Sequence, residues 1–359
     1  MRLNSASAFD PQFPGGGIAP LPTYLTASSI PATVVGPAST LQDFDNYNPL
    51  PLSVDGFSGA MTTFPPAGSN TYHAGSVDFQ HRFSKGIYFR TNYTFSKNID
   101  NATNELFSSY VNPRRAQDGY NFPADRGLSA LNNSHKFAIT WVYAIPNIST
   151  SNGFVKGIAH GWEVNGSYLA QTGQPVTALS GVDSNVNGDG AGDRTVFNPA
   201  GVGMTGTGVN FVCNAGAGGA TSIVSDPATC GTGNDANIIG YVAIDPTARF
   251  VQAGAGALAT TGRNTVSTPG LNIWNISAFK TTKLTERFSL QFRASTYNTF
   301  NHRNFSIGLP TNNGALDSAT NTNPLNAGYI FVTSGPSFLN NQQFNGGSRN
   351  MELGLKLVF

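Results

Sequence analysis

The chain has little charge. Asp, Glu, Lys and Arg make up 11% of its 359 residues, against about 25% in a typical soluble protein. The charges also nearly cancel, with 20 basic and 19 acidic residues. Binding to nucleic acid requires a clustered basic surface, so this balance argues against a nucleic-acid partner.

Long apolar runs are missing as well. No segment reaches the roughly 20 apolar residues that a membrane-spanning helix needs. The start, residues 1–5, has no apolar core of the kind that a signal peptide requires. Taken alone, that start argues against export. Because the other end of the chain indicates export, we expect that the sequence lacks its own beginning.

Aromatic residues, glycine and proline are plentiful, with 25 Phe, 12 Tyr, 41 Gly and 21 Pro. Frequent Gly and Pro disfavour long helices. The aromatic residues fall in ordered patterns, which a disordered chain does not show. The combination predicts aromatic strands between long, polar loops.

Three segments, 87–97, 136–145 and 350–359, alternate apolar and polar residues with the period of a β-strand. Each has the ten or so residues with which a tilted strand crosses a bilayer. A soluble sheet with one wet face shows the same alternation. The aromatic residues at the strand ends favour the membrane, where they form interfacial girdles. Further strands are expected at 57–64, 71–83, 161–176, 271–282 and 287–300.

One residue breaks the alternation. In segment 271–282, Trp274, Ile276 and Ala278 share a face, but Phe279 falls on the polar one. A β-bulge or a packed position inside the barrel would explain it.

The connections between these strands alternate in length. Segments 84–86 and 283–286 are tight turns and 146–160 is moderate, whereas the other connections are long, polar and rich in Gly, Asn and Pro: 98–134, 177–270 and 301–348. Outer-membrane barrels have short periplasmic turns and long extracellular loops. Placing the C-terminus in the periplasm assigns every long connection to the outside.

The last strand ends on an aromatic residue, Phe359, preceded by Leu353, Leu355 and Leu357 at every second position. This ending resembles the assembly signal of outer-membrane barrels. In a soluble protein an apolar edge strand would invite aggregation. We therefore expect a protein of the outer membrane of a Gram-negative bacterium, contacting lipid and recognised by the barrel-assembly machinery through the Phe359 strand.

Five segments resemble the C-terminal barrel of the Oar-like TonB-dependent receptors, in the order of that family: Thr71-Tyr72-His73-Ala74, 93–100 (YTFSKNID), 171–175 (QTGQP), 284–293 (LTERFSLQFR) and 297–305 (YNTFNHRNF). The resemblance runs from about Asp55 to the end. It implies a large ligand-gated barrel with an N-terminal plug, driven by the periplasmic protein TonB.

The sequence therefore predicts an all-β fold: an antiparallel transmembrane β-barrel segment of about eight strands, an incomplete barrel with long extracellular loops. Residues 1–55 form an irregular N-terminal segment and 56–359 the barrel part. Receptors of this kind use about 22 strands, and no plug or TonB-contacting box is recognisable. We expect a receptor fragment that transports nothing without the remaining barrel and plug. A surface adhesion or scaffold barrel is the alternative.

One loop resembles a calcium site. Side-chain oxygens alternate along it and glycine is sixth, as hard Ca²⁺ prefers. The candidate ligands are Asp183, Asn185, Asn187, Asp189 and Asp193. Arg194 stands where the bidentate Glu should be, and no helices flank the loop. The sequence therefore favours a solvated turn of Asx and Gly residues over a metal site. Ca²⁺ is the only cofactor that the sequence suggests.

The two cysteines, Cys213 and Cys230, lie in the longest presumed outer loop. An even pair in an exported protein predicts a disulfide. The histidines (His73, His81, His135, His160 and His302) are scattered, and no nucleophile motif surrounds them. We expect no enzyme and no catalytic residue, a barrel-embedded hydrolase being the remote alternative.

Overall fold

In the computed structural model the described residues are 4–59, 61, 63, 66–101, 116–173, 175–189, 193–214, 218–231, 234–267, 270–302, 304 and 348–359. Their strands are β1 (Thr23–Tyr24), β2 (Asn70–Ser84), β3 (Ile87–Asp100), β4 (Gly127–Leu128), β5 (His135–Ala144), β6 (Trp162–Gln171), β7 (Pro175–Val176), β8 (Val196–Phe197), β9 (Val202–Thr207), β10 (Val209–Asn214), β11 (Thr221–Val224), β12 (Ile238–Ala243), β13 (Ala248–Val251), β14 (Val266–Ser267), β15 (Leu271–Lys283), β16 (Ser289–Tyr297) and β17 (Asn350–Val358). The α-helices are α1 (Leu41–Asp45) and α2 (Gly153–Ala159).

Short 3-10 helices lie at Ala27–Ser29, Pro51–Asp55, Phe122–Asp125, Pro227–Thr229 and Asn234–Asn237. None of the helices in the described part of the chain is long and apolar enough to cross a membrane.

The largest sheet has eight strands in the order β17-β16-β15-β6-β5-β3-β2, with short β4 paired to the end of β3. All of its pairs are antiparallel. Among the described residues, the edge strands β2 and β17 each have a neighbour on one side only. The sheet is therefore open, and the predicted incomplete barrel of about eight strands is confirmed.

The strand bounds agree with the alternation to within a few residues, with two differences. The strand expected at 161–176 ends at Gln171, and residues 175–176 form a separate strand, β7. In the segment expected as a strand at 57–64, the described residues 57–59, 61 and 63 lie in no strand. Its alternation is too short to outweigh the Gly and Pro residues around it.

The strand register gives the sheet two different faces. The apolar face carries Val77, Phe79, Phe89, Tyr93, Phe95, Phe137, Ile139, Trp141, Tyr143, Val164, Gly166, Tyr168, Trp274, Ile276, Phe292, Leu353, Leu355 and Leu357. The polar face carries Asp78, Arg90, Asn92, Thr140, Ser167, Asn275, Ser277, Arg293, Ser295, Glu352 and Lys356.

The apolar face is bare in this chain. None of its described side chains is buried, and Val77 and Leu355 are 68% and 70% exposed. A soluble sheet of this kind covers its apolar face with helices or a second sheet. A large buried cluster lies elsewhere, formed by the N-terminal segment and the connection 172–270.

The connections have different lengths at the two ends of the sheet. At one end are 85–86, 145–161 and 284–288, and at the other are 101–134, 172–270 and 298–349. Lys85 and Gly86 have φ angles of 51° and 83°, as a two-residue hairpin turn requires. The alternation of short and long connections is thus a property of the fold.

The described residues of 4–59 and 172–267 fold together into a body that we call the cap. Parallel pairing joins β1 to β12, in a four-stranded sheet ordered β1-β12-β10-β11. The cluster beneath it combines both parts of the chain, with Leu21, Phe44, Val196, Ile238 and Tyr241 all buried. Segment 1–55 is largely irregular, and its described residues from Asn4 on belong to this cap rather than to the eight-stranded sheet.

Candidate functional site

The cap is fixed to the strand ends by residues 116–134, which we call the bridge. Arg263 of the cap forms an ion pair with Asp100 at the end of β3, and Arg194 forms one with Asp125 of the bridge. All four side chains are almost fully enclosed. Removing one partner of such a buried pair leaves an uncompensated charge, so both pairs fix the cap in position.

The bridge covers the polar face where that face meets the cap. Ser96 Oγ donates to Asn133 O at 2.6 Å, and Asn98 N donates to Asn132 Oδ1 at 2.7 Å. On β15, Leu271 and Ile273 of the same face are also buried, in register with Thr94 and Asn92 of β3. The cap end of the polar face is therefore closed over by the chain's own connections.

The charged residues of the polar face are only partly paired. Arg90 forms a solvent-exposed ion pair with Asp78, at 3.1 Å. Arg293 donates to Ser295 Oγ at 2.8 Å, and its guanidinium lies 5.3 Å from the centre of the Phe279 ring. The register of β15 is continuous at Phe279, so this residue is a packed position on the polar face and no bulge is involved.

The loop from Asp183 to Asp189 is a tight turn held by its own side chains. The two Asp183 carboxylate oxygens accept from Asn187 N at 3.0 Å and Gly188 N at 2.7 Å. Asn187 Oδ1 accepts from Asp189 N at 2.8 Å. Of the predicted ligands, Asn185, Asn187, Asp189 and Asp193 are buried.

Asp193 is the most enclosed carboxylate of this loop, with no exposed surface. Its Oδ1 accepts from Ser184 Oγ at 3.1 Å, whereas its Oδ2 has no hydrogen-bond partner. Burial raises the pKa of the Asp193 carboxyl well above its ordinary value, and the nearby Asp183 and Asp189 raise it further. Burial likewise raises the pKa of Asp183.

No group of three or more His, Cys, Asp or Glu side chains within the described ranges is arranged to hold a metal ion as it stands. Three of the histidines have local partners. His135 Nδ1 lies 2.8 Å from Tyr93 Oη, and His160 Nε2 lies 2.9 Å from Ile148 O. His81 stacks on Phe89.

The cysteines lie within the cap. Cys213, in β10, and Cys230, after the turn at Pro227–Thr229, are joined by a disulfide with a Cα–Cα distance of 5.5 Å. Both residues are buried in the cap's main cluster. The bond therefore ties β10 to the segment that leads into β12.

The cap also carries an open groove of about 620 Å³, built from the N-terminal segment alone. Its wall mixes apolar, hydroxyl and acidic groups: Ile18, Ser39, Asp43, Asn46 and Tyr47. Its size is within the range of small-molecule sites.

The family model of the outer membrane beta barrel domain matches residues 7–348. The chain belongs to this barrel family. Its place is the outer membrane. No curated protein and no solved structure matches the chain.

Membership of the barrel family explains why the apolar face has no protein cover, because acyl chains take that role. Along β5, the six residue-to-residue steps from Phe137 to Tyr143 extend this face by about 20 Å, at about 3.3 Å per residue. At the level of the short turns, Trp162 Nε1 donates to Ile158 O, and Lys280 Nζ lies 5.3 Å from the Trp162 ring. Tyr93 and His135 form the corresponding polar tips at the cap end. Such amphipathic aromatic groups are typical of the two interfaces of a membrane barrel.

Proposed function

We propose that the chain is part of the wall of a TonB-dependent outer-membrane receptor of the Oar-like kind, and that its cap contacts the ligand. The observation that carries this proposal is the combination of an open barrel wall with a large folded cap at one end of its strands.

The open wall supports a part of a larger barrel. Strand β2 has 15 residues and β17 has nine, and each presents a row of backbone groups that needs a further strand. Membrane barrels close because unpaired backbone groups are costly in hydrocarbon. In a receptor of about 22 strands, the remaining strands would pair with these two edges. The chain alone would then not transport.

The cap supports a ligand-binding role. It is held rigidly by the enclosed ion pairs of Arg194 and Arg263, and binding sites are commonly built on such fixed loops. It lies at the end of the sheet that bears the long connections, the end that faces the exterior in outer-membrane barrels. The groove at Ser39, Asp43 and Tyr47 is the surface on which we expect ligand contact.

Two observations test the proposal. The DNA immediately upstream should encode a plug domain and a TonB-contacting box in the same reading frame. The complete protein, purified in detergent, should bind the purified periplasmic domain of TonB from the same organism. Removal of the box is the control and should abolish binding.

An upstream region without a plug, together with no binding to the TonB domain, would contradict the proposal. The surface adhesion or scaffold barrel would then account better for the open wall and the cap.

A further inference from the structure

The described residues Asp183, Asp189 and Asp193 bring three carboxyl groups close together, and Asp193 is fully buried. The electrostatic neighbours that act on Asp193 are Asp183 and Asp189, which have the same sign. The adjacent cation, Arg194, is engaged by Asp125 of the bridge. Burying a carboxylate without a counter-charge is costly, and a bound cation would remove that cost.

A second observation points into the same loop. Asp193 is fully buried and its Oδ2 has no hydrogen-bond partner, although buried polar atoms nearly always have one. Nearby, Gln117 O accepts from the side-chain amides of Asn185 and Asn187, at 2.7 and 3.0 Å. These two bonds fix the orientation of both amides, and the Oδ1 atoms on their other side retain free lone pairs.

We propose that this loop binds a calcium ion through side-chain oxygens of Asp183, Asn185, Asn187, Asp189 and Asp193. Three carboxylates and two amides form an all-oxygen set of the kind that Ca²⁺ prefers over transition metals. Asp193, one residue before Arg194, supplies the acidic group that the loop otherwise lacks at its end. Calcium binding draws the five oxygens together from the hydrogen-bonded arrangement of the metal-free loop.

The site would join three distant parts of the chain. Ser5 Oγ donates to Asn187 O, Ala8 N donates to Asn185 O at 2.9 Å, and Gly256 N donates to Ser184 O at 2.9 Å. Because main-chain groups of the loop hold the N-terminal segment and the β13–β14 connection, an ion here stabilises the whole cap. The cap is then fully ordered where calcium is abundant, as outside the cell.

The first experiment uses the complete protein in detergent, with calcium chloride against EGTA and magnesium chloride as the control ion. Addition of about 1 mM Ca²⁺, the range of extracellular calcium modules, should raise the cap's unfolding midpoint. Hydrogen exchange should slow at residues 5–8, at Gln117 and in the loop. Magnesium should do less, because it prefers a rigid octahedral site with bound water. No change in midpoint or exchange with calcium would overturn the proposal.

The second experiment compares Asp193→Asn with Asp226→Asn, which alters an exposed aspartate elsewhere in the cap. Asp193→Asn should weaken calcium binding, measured by titration calorimetry, by at least about tenfold. In calcium, the unfolding midpoint of Asp193→Asn should be lower than that of the unsubstituted protein. In EGTA it should be equal or higher, because the substitution removes a buried carboxyl group that no cation stabilises. Asp226→Asn should change neither the affinity for calcium nor the unfolding midpoint. If Asp193 has only a structural role, Asp193→Asn lowers the midpoint equally in both solutions, which would refute the site.

Discussion

Single residues decide how the apolar face is packed. The six-membered part of the Trp141 ring lies over Gly166, where an added Cβ would be 2.4 Å from Trp141 Cζ2 and 2.6 Å from Asn275 O. Trp141 also meets Trp274 edge to face. The alternation in the sequence predicted the face on which Trp141 lies. The alternation could not predict that Gly166 accommodates the ring, since that contact depends on how β5 pairs with β6.

We predict that Gly166→Ala destabilises the complete protein by about 1–3 kcal/mol, the usual cost of overpacking. Gly75→Ala is the matched control, because Gly75 lies on the same face and an added Cβ there meets no atom within 4 Å. Urea unfolding in detergent, followed by tryptophan fluorescence, measures both. Equal midpoints for the two variants would show that the Trp141 ring does not lie on Gly166.

At the acidic loop, the sequence predicts a set of candidate ligand positions but not their surroundings. The spacing from Asp183 to Asp193 is visible in the chain, whereas the burial of Asp193 depends on residues 5–8, Gln117 and Gly256. Because these contacts come from distant parts of the chain, the sequence pattern by itself favours a solvated turn. Burial and the partnerless oxygen favour a cation instead.

Among the elements, the long strands were predictable and the cap was not. Strands such as β3 and β5 have ten or more residues, so their period of two is clear. The cap strands β10 and β12 have six residues each, and β1, with which β12 pairs, lies more than 200 residues earlier in the chain. Short strands between glycine-rich turns carry little periodic signal, which is why the sequence alone predicts a loop at 177–270.

Among the elements of the cap, we predict that a disulfide joins Cys213 to Cys230 in the exported protein. Its closed loop, with a sequence separation of 17, should stabilise the cap by about 3 kcal/mol. Mass spectrometry of unreduced peptides from the exported protein should show Cys213 linked to Cys230. The double variant Cys213→Ser/Cys230→Ser should lower the unfolding midpoint of the cap. Complete alkylation of both thiols without a reductant would rule the bond out.

The different connections at the two ends of the sheet predict which end faces the exterior of the cell. The cap should be extracellular and the turn at 284–288 periplasmic. A membrane-impermeant maleimide should label Val35→Cys, at an 82% exposed position of the cap, on intact cells. It should label Glu286→Cys, in the short turn, only after the outer membrane is opened. The reverse pattern would invert the topology.

In the molecule as a whole, the cap and the eight-stranded sheet pack in different ways. The cap has a buried protein core, whereas the sheet has an apolar face that no described part of the chain covers. The low charge and the alternating strands predicted such a wall, and the family match over residues 7–348 agrees. Lipid therefore completes the packing of this face.

Spin labels can measure whether each face of the sheet contacts lipid or water. Spin labels are placed on cysteine variants of the complete protein in lipid bilayers, on the apolar face at Phe89, Trp141 and Leu355 and on the polar face at Asn92, Thr140 and Gly354. The continuous strand register from β3 to β17 places the first three on one face. Their spectra should relax with lipid-soluble oxygen and not with an aqueous nickel chelate, and the polar-face labels should behave in the opposite way. Equal responses from both faces, or an apolar face shielded from both reagents, would contradict the account.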